Sequence, residues 1–377
     1  MKLTRPDFLN LFLAGILMSL AWSLRGQFGH LKGGMIPGAM AAMIPIFLMR
    51  GNWLASAGLA LALSTLGFSL GGHMSYGRLI NYVEFHNLAA CLPQLLRIFL
   101  IGGIWGGLGS TFLGYGLSEK PFTRGDFLVF SVLWFLWFIT LGILDLESVD
   151  IVILFLGFAI LHLYNYRFKK SKLVFDYGFG GFVGFGGAFV FAVLLLNLGR
   201  HHWLPGPWPW WLLRDQIIGF LGGVTLWAIT LRSTRNKIQP CLANDLVTLH
   251  KIGIMFFAIV VPVINSMNVI THWAKHHTFT QFEFIVAGTL LFLFIFLFFY
   301  LVYQWEIFSI HLERTLLTTT LIFIWYMSAA AIVKESMIWG PSRWEAAYTL
   351  FLVFSAILTP FLLYRLRQTF HPGMTSE

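Results

Sequence analysis

Apolar runs of 16 to 22 residues recur along the whole chain, separated only by short polar stretches. A hydrocarbon core of about 30 Å is crossed by roughly 20 helical residues. The spacing therefore predicts membrane-spanning helices throughout and leaves no room for a separate soluble domain. Twelve segments qualify. The first six are Phe8 to Leu24, Gly34 to Met49, Trp53 to Gly72, Ile98 to Leu117, Phe127 to Leu144 and Ile151 to Tyr166. The second six are Tyr177 to Leu198, Gln216 to Leu231, Ile252 to Ile270, Phe284 to Tyr303, Leu316 to Val333 and Ala346 to Tyr364. The runs at Gly34 and Gln216 are short, so ten or eleven spans are alternatives to twelve. The expected fold is an all-α integral membrane protein, a single polytopic domain over residues 1–377 with irregular or re-entrant segments on its outer side.

Composition agrees with the pattern. Hydrophobic residues make up 58% of the 377 and charged residues only 11%, where soluble domains carry about a quarter. The bilayer is thus the expected solvent and partner, and no nucleic-acid partner is expected. Ser19-Leu20-Ala21 imitates a signal-peptidase site, but the apolar run continues to Leu24 and leads into a polar motif, so the segment reads as a retained first helix.

Basic residues in short loops set orientation. Arg167, Lys169, Lys170 and Lys172 follow the sixth span and Arg232, Arg235 and Lys237 the eighth, whereas Asp145, Glu147 and Asp150 follow the fifth. Both termini are then cytoplasmic in an inner (cytoplasmic) membrane. Nine Lys and Arg fall outside: Arg25, Lys32, Arg78, Arg97, Arg200, Arg214, Lys275, Lys334 and Arg343. These exceptions are the informative residues, because a basic residue on that side opposes topogenesis. Cys91 and Cys241 fall on opposite sides, which excludes a disulfide between them.

Asp7, Asp126 and Asp245 are spaced by 119 residues, the first two inside Asp-Phe-Leu. This raises a reading as three four-helix units, 1–120, 121–238 and 239–377, although so few matches favour chance and a six-plus-six arrangement stays open. Glycines crowd the fourth span (Gly102, Gly103, Gly106, Gly107, Gly109, Gly114, Gly116) and the seventh (Gly178, Gly180, Gly181, Gly184, Gly186, Gly187). Small residues let helix backbones approach closely in lipid, so these two helices are expected at the centre.

The strongest candidate chemistry lies between Trp22 and Gly38, where Arg25, Gln27, His30 and Lys32 stand among glycines and a proline. Such a stretch cannot be regular helix throughout, and irregular backbone near a membrane is tolerated where protein buries it or water reaches it. Arg25 offers a planar fork for carboxylate or phosphate, Lys32 a point charge and His30 a group titrating near neutrality. A helix starting near Gly34 would add its N–H groups to anion attraction. The plainer reading is an interfacial loop meeting lipid headgroups. A second polar stretch on the same face holds His73, Arg78, Asn81, Glu84, His86 and Asn87, with Leu79 to Arg97 expected as a short interfacial or re-entrant helix. Glu84 with Arg78 or Arg25 reads equally well as a structural ion pair.

Weaker signals follow. The Trp-rich run from His201 to Trp211 suits stacking on sugar rings but belongs equally at a membrane interface. His272, His276 and His277 have helical spacing without a carboxylate ligand, so no metal is expected. Pro262, Asn265 and Asn268 mark a helix with a freed carbonyl and asparagines able to meet a solute or a neighbouring helix. Lys334 and Glu335 close the eleventh span on different helix faces. No P-loop or other cofactor signature is present, and no cofactor is expected.

Two functions are therefore carried forward. One is a permease for a small polar, anionic solute, with Arg25, Gln27, His30, Lys32, His73, Arg78, Glu84 and Asn87 as binding residues. The other is an integral membrane transferase or hydrolase acting on a lipid-linked or sugar/phosphate substrate, with His30, His73, His86 and Glu84 as its acid–base groups. A permease needs polar groups at membrane depth, whereas the enzyme keeps them at one face.

Overall fold

The structure is a computed structural model that describes residues 4–30, 32–49, 52–72, 88–143, 150–200, 210–240, 247–276, 312–339 and 346–370. Every regular element among them is helical. In chain order these are α1 (Arg5–Phe28), α2 (Met35–Met49), α3 (Asn52–Ala55), α4 (Ala57–Gly71), α5 (Leu88–Gly116), α6 (Arg124–Ile143) and α7 (Asp150–Tyr164). They continue as α8 (Lys172–Arg200), α9 (Trp210–Arg235), α10 (Val247–Met255), α11 (Val261–His276), α12 (Leu312–Trp339) and α13 (Ala346–Phe370). A π-helical turn, Asn165–Lys169, ends α7, and a second, Phe256–Val260, joins α10 to α11.

Eight helical segments among the described residues are long and apolar enough to cross a membrane, and two shorter apolar helices, Met35–Met49 and Ala57–Gly71, accompany them. Together they make a helical, multi-pass membrane protein. The expected span at Phe284 to Tyr303 lies outside the described residues. Side chains such as Phe135, Leu156, Ile160 and Leu163 are exposed on α6 and α7, a surface suited to hydrocarbon rather than water.

The Ser19-Leu20-Ala21 segment is buried inside α1. Residues 88–97, expected in a separate interfacial helix, instead form the first turns of α5, which runs unbroken to Gly116 through Pro93. Proline is tolerated in a membrane helix when neighbours satisfy the freed backbone, so the polar Gln94 and Arg97 do not end it. Residues 79–87 lie outside the described residues. Cys91 is buried, and Cys241 also lies outside them.

The glycine-rich helices α5 and α8 pack against each other at the centre, as expected. A Cβ on Gly102 would lie 2.4 Å from the Phe189 ring, and one on Gly106 2.2 Å from Phe185. Missing side chains on one helix thus receive aromatic rings from the other. Van der Waals contact of this kind holds helices together where lipid is as apolar as the protein. Trp22 of α1 enters the same layer, with ring centroids 5.1 Å from Trp105, 5.5 Å from Phe185 and 5.7 Å from Phe189. The Trp105 indole N–H donates to the Phe68 carbonyl over 2.7 Å. These rings form a fully buried aromatic septum.

The beginnings of α1 and α6 share a local device. Thr4 donates from backbone and side chain to Asp7 Oδ2, at 2.9 and 2.8 Å, and Thr123 does the same to Asp126 Oδ2, at 2.7 and 2.8 Å. Each carboxylate also takes a cation from the end of another segment: Arg235 at 2.8 Å for Asp7 and Lys169 at 2.5 Å for Asp126. The 119-residue spacing of the two aspartates therefore coincides with a shared capping geometry. We call the side carrying these pairs the Lys169 face and the opposite side the Arg25 face.

Candidate functional site

Close approach of α1 and α9 builds the site. A Cβ on Gly219 would lie 2.2 Å from the Met18 carbonyl oxygen, and one on Gly223 2.2 Å from that of Ala14. The helices therefore touch backbone to backbone, and Ser19 Oγ donates to the Gln216 carbonyl across the seam at 2.9 Å. Asp215, Gly219 and Gly223 stand at i, i+4 and i+8, on one helix face. The stripe that admits α1 thus also aims Asp215 at it, where it meets Arg25 one helical turn before α1 ends.

Asp215 Oδ2 accepts from Arg25 Nη2 at 3.0 Å, while Oδ1 accepts from Arg214 Nη2 at 2.8 Å and Nε at 3.0 Å. Arg25 and Asp215 are each only 1% exposed. Burying such charges is costly unless they are paired and hydrogen-bonded. Here the Arg25 guanidinium also lies over the rings of Trp22 and Trp105, 5.3 and 5.1 Å from their centroids, which favours a desolvated cation. Gly26 makes room for the carboxylate: a Cβ there would sit 2.7 Å from Asp215 Oδ2.

Arg25 Nη1 donates to His30 Nδ1 over 2.8 Å. A guanidinium has only donors, so Nδ1 accepts and the ring is neutral with its proton on Nε2. Desolvation, then the Arg25 charge, push the His30 pKa down to about 4, even though part of the residue is exposed. The guanidinium groups of Arg25 and Arg214 thus share the Asp215 carboxylate. Arg25 Nε, Trp22 Nε1 and Gln216 Nε2 are buried without a hydrogen-bond partner. All are N–H donors within one helical turn of Arg25 or Asp215.

The chain reverses sharply after α1. Gly29 takes φ 86°, open to glycine and strained for other residues. Gly34 N–H then donates to the His30 carbonyl and Met35 N–H to that of Lys32, both at 3.2 Å, starting α2 at Met35. The last carbonyls of α1 are capped from other helices, with Asn268 Nδ2 donating to Phe28 at 2.5 Å and Lys334 Nζ to Gln27. Both donors suit the negative end of a helix dipole. The expected meeting of Asn268 with a neighbouring helix is thus realised at the end of α1.

Of the residues singled out in the sequence, Arg25 and His30 come together, Gln27 is buried beside them, and Lys32 stands exposed. The irregular stretch is narrower than the motif from Trp22 to Gly38: Arg25, Gly26 and Gln27 are helical, and among the described residues of the motif only 29, 30 and 32–34 break the helix. His73, Arg78, Glu84, His86 and Asn87 lie outside the described residues, as do His201 and His277. Sequence reasoning missed Asp215. The signal was an acidic residue bordering an apolar run on the side already rich in unexpected basic residues, and α9 begins at Trp210 rather than at Gln216.

No family model, curated protein or solved structure matches the chain.

Proposed function

We propose that the protein is a permease for a small anionic solute, bound at the cluster of Arg25, Arg214, Asp215 and His30. The carrying observation is the buried Arg25–Asp215 pair beside three buried N–H donors without partners, Arg25 Nε, Trp22 Nε1 and Gln216 Nε2. An anion supplies the acceptors that those donors lack. Helix lengths support a site within the membrane. At 1.5 Å per residue, the 15-residue helices α2 and α4 reach about 22 Å, short of a core of about 30 Å. The end of α4 would therefore be recessed, and Trp105, whose ring Arg25 covers, stands near the middle of the 29-residue α5.

An enzyme using His30 as general base fits less well, since Nδ1 is occupied by Arg25 and Nε2 carries the proton. The charge distribution of the loops supports an Arg25 face turned outward and both termini in the cytoplasm of an inner membrane. The lipid bilayer and a small solute are then the partners. The test is thermal stabilisation of the purified protein by monocarboxylates, phosphate, sulfate and lipid-linked phosphates, followed by uptake into liposomes. Arg25→Gln/Asp215→Asn serves as the charge-balanced control. Ligand present at 100 times its Kd stabilises by about 2.7 kcal/mol. Stabilisation by a small anion, absent in the double variant, is expected; stabilisation by a lipid-linked phosphate alone would transfer the site to the enzyme reading.

A further inference from the structure

Toward the Lys169 face, four helices leave a narrow recess between them. Leu13 and Leu17 of α1, Ile44 and Phe47 of α2, Thr320 of α12 and Phe361 of α13 contribute to its walls. About 340 Å³ of space there is empty, counting the part that lies open at the surface. The lining is apolar except for Thr320, whose hydroxyl donates to the Leu316 carbonyl of its own helix at 2.8 Å. The walls therefore offer hydrocarbon alone. Atoms facing a void lose their dispersion contacts on that side, so a hydrocarbon chain gains by entering, whereas a polar solute would leave its own hydrogen bonds behind.

The exposure of the walls shows which end is open. Leu13, Ala14, Ile44 and Leu362 are buried, while Leu48 and Phe361 are partly exposed. Arg365 stands at that end. Its Nη2 donates to the Phe47 carbonyl, and its Cζ lies 5.7 Å from the Phe361 ring centroid, so the cation touches two of the wall residues. The rim lies on the Lys169 face: Met49, two residues beyond Phe47, accepts from Thr234 at 3.5 Å, and the adjacent Arg235 pairs with Asp7. Two more cations gather nearby, Arg367 exposed on α13 and Arg314 of α12, which donates to the Thr369 carbonyl at 2.5 Å.

Along α13, the wall residues Leu362 and Leu358 lie about 4.5 and 10 Å deeper than Arg365 at helical rise. A phospholipid has its parts in the same order, a phosphate at the membrane surface and hydrocarbon beneath it. We propose that the recess holds one acyl chain of an anionic phospholipid whose phosphate lies against the Arg365 guanidinium. The planar guanidinium fork matches phosphate oxygens, and basic residues at a membrane surface draw anionic headgroups. The bilayer around the helices supplies the occupant, which bridges α1, α2 and α13 and so stabilises their packing. The site uses neither Arg25 nor Asp215 and does not rest on the permease reading.

The experiment uses full-length protein purified in detergent and stripped of lipid. Phosphatidylglycerol and phosphatidylcholine with identical chains are titrated back, and bound lipid is counted by native mass spectrometry. Wild type is expected to retain one phosphatidylglycerol about fivefold more tightly than phosphatidylcholine, the attraction of a single basic residue. Arg365→Gln should erase that preference, whereas Arg124→Gln, which removes an exposed cation of α6, should leave it intact. Ala14→Leu, which extends a buried wall residue into the recess, should remove the tight site for both lipids. Equal retention of the two lipids by wild type, an unchanged preference in Arg365→Gln, or tight retention by folded Ala14→Leu overturns the proposal, as does loss of the bound lipid to glycerol phosphate alone. A second check needs no variant: phosphatidylglycerol with a diazirine in its chain should crosslink to the peptides holding Leu13 to Leu17, Ile44 to Leu48 and Leu358 to Leu362. Labelling there no heavier than on the exposed Leu156 and Ile160 of α7 overturns the placing of the chain.

Discussion

Asp215 lies so close to Gly26 that a single methyl group would touch its carboxylate, the added carbon falling 2.7 Å from Oδ2. The carboxylate cannot retreat freely, since Arg214 holds its other oxygen. Gly26→Ala is therefore expected to strain the Arg25–Asp215 pair. Overpacking of this kind costs about 1–3 kcal/mol, and anion-induced stabilisation should fall with it. Thermal unfolding with and without phosphate checks both effects.

Separating charge loss from charge imbalance gives the second prediction. Asp215→Asn leaves buried Arg25 without its counter-ion, and breaking a buried pair from one side costs about 3–5 kcal/mol. Adding Arg25→Gln should restore much of that stability without restoring anion binding. A double-mutant cycle measured by thermal or denaturant unfolding reads the coupling.

The two threonine–aspartate caps on the Lys169 face provide a matched pair. Lys169 and Asp126 are 5% and 0% exposed, whereas Arg235 and Asp7 are 35% and 14% exposed. Asparagine keeps an oxygen for the threonine donors in either cap. Asp126→Asn is then expected to destabilise by about 3–5 kcal/mol and Asp7→Asn by under about 1 kcal/mol. Similar losses for both would contradict the assignment of the first as a buried pair.

The His30 ring supplies a pH dependence of defined sign. Its folded pKa of about 4 lies below the ordinary value of 6.5, so between those values the unfolded chain binds a proton that the folded protein refuses. Stability from this group is fully present above pH 6.5 and is lost as pH falls toward 4. His30→Gln should flatten that part of the profile, as measured by the midpoint of unfolding across pH 4 to 7.

Much of the architecture was legible because span length and glycine clustering are properties of continuous segments. Arg25 and His30 were legible for the same reason, sharing one short motif. Asp215 was not, because its meaning depends on a helix 190 residues away and on the Gly219–Gly223 stripe, which reads as packing alone until α1 is laid against it. Residues 88–97 were misassigned because polar side chains near a membrane edge resemble a break, although Pro93 and its neighbours continue the helix.

The shortness of α2 and α4 also has an electrical meaning. On the permease reading, a recess that admits water would carry the potential of the adjoining solution inward, so the transmembrane voltage would fall across the protein between Arg25 and the opposite face. One elementary charge crossing 100 mV gains or loses about 2.3 kcal/mol. An anion would reach Arg25 with little voltage dependence, and the steep part of its passage would begin at the aromatic layer of Trp22, Trp105 and Phe185.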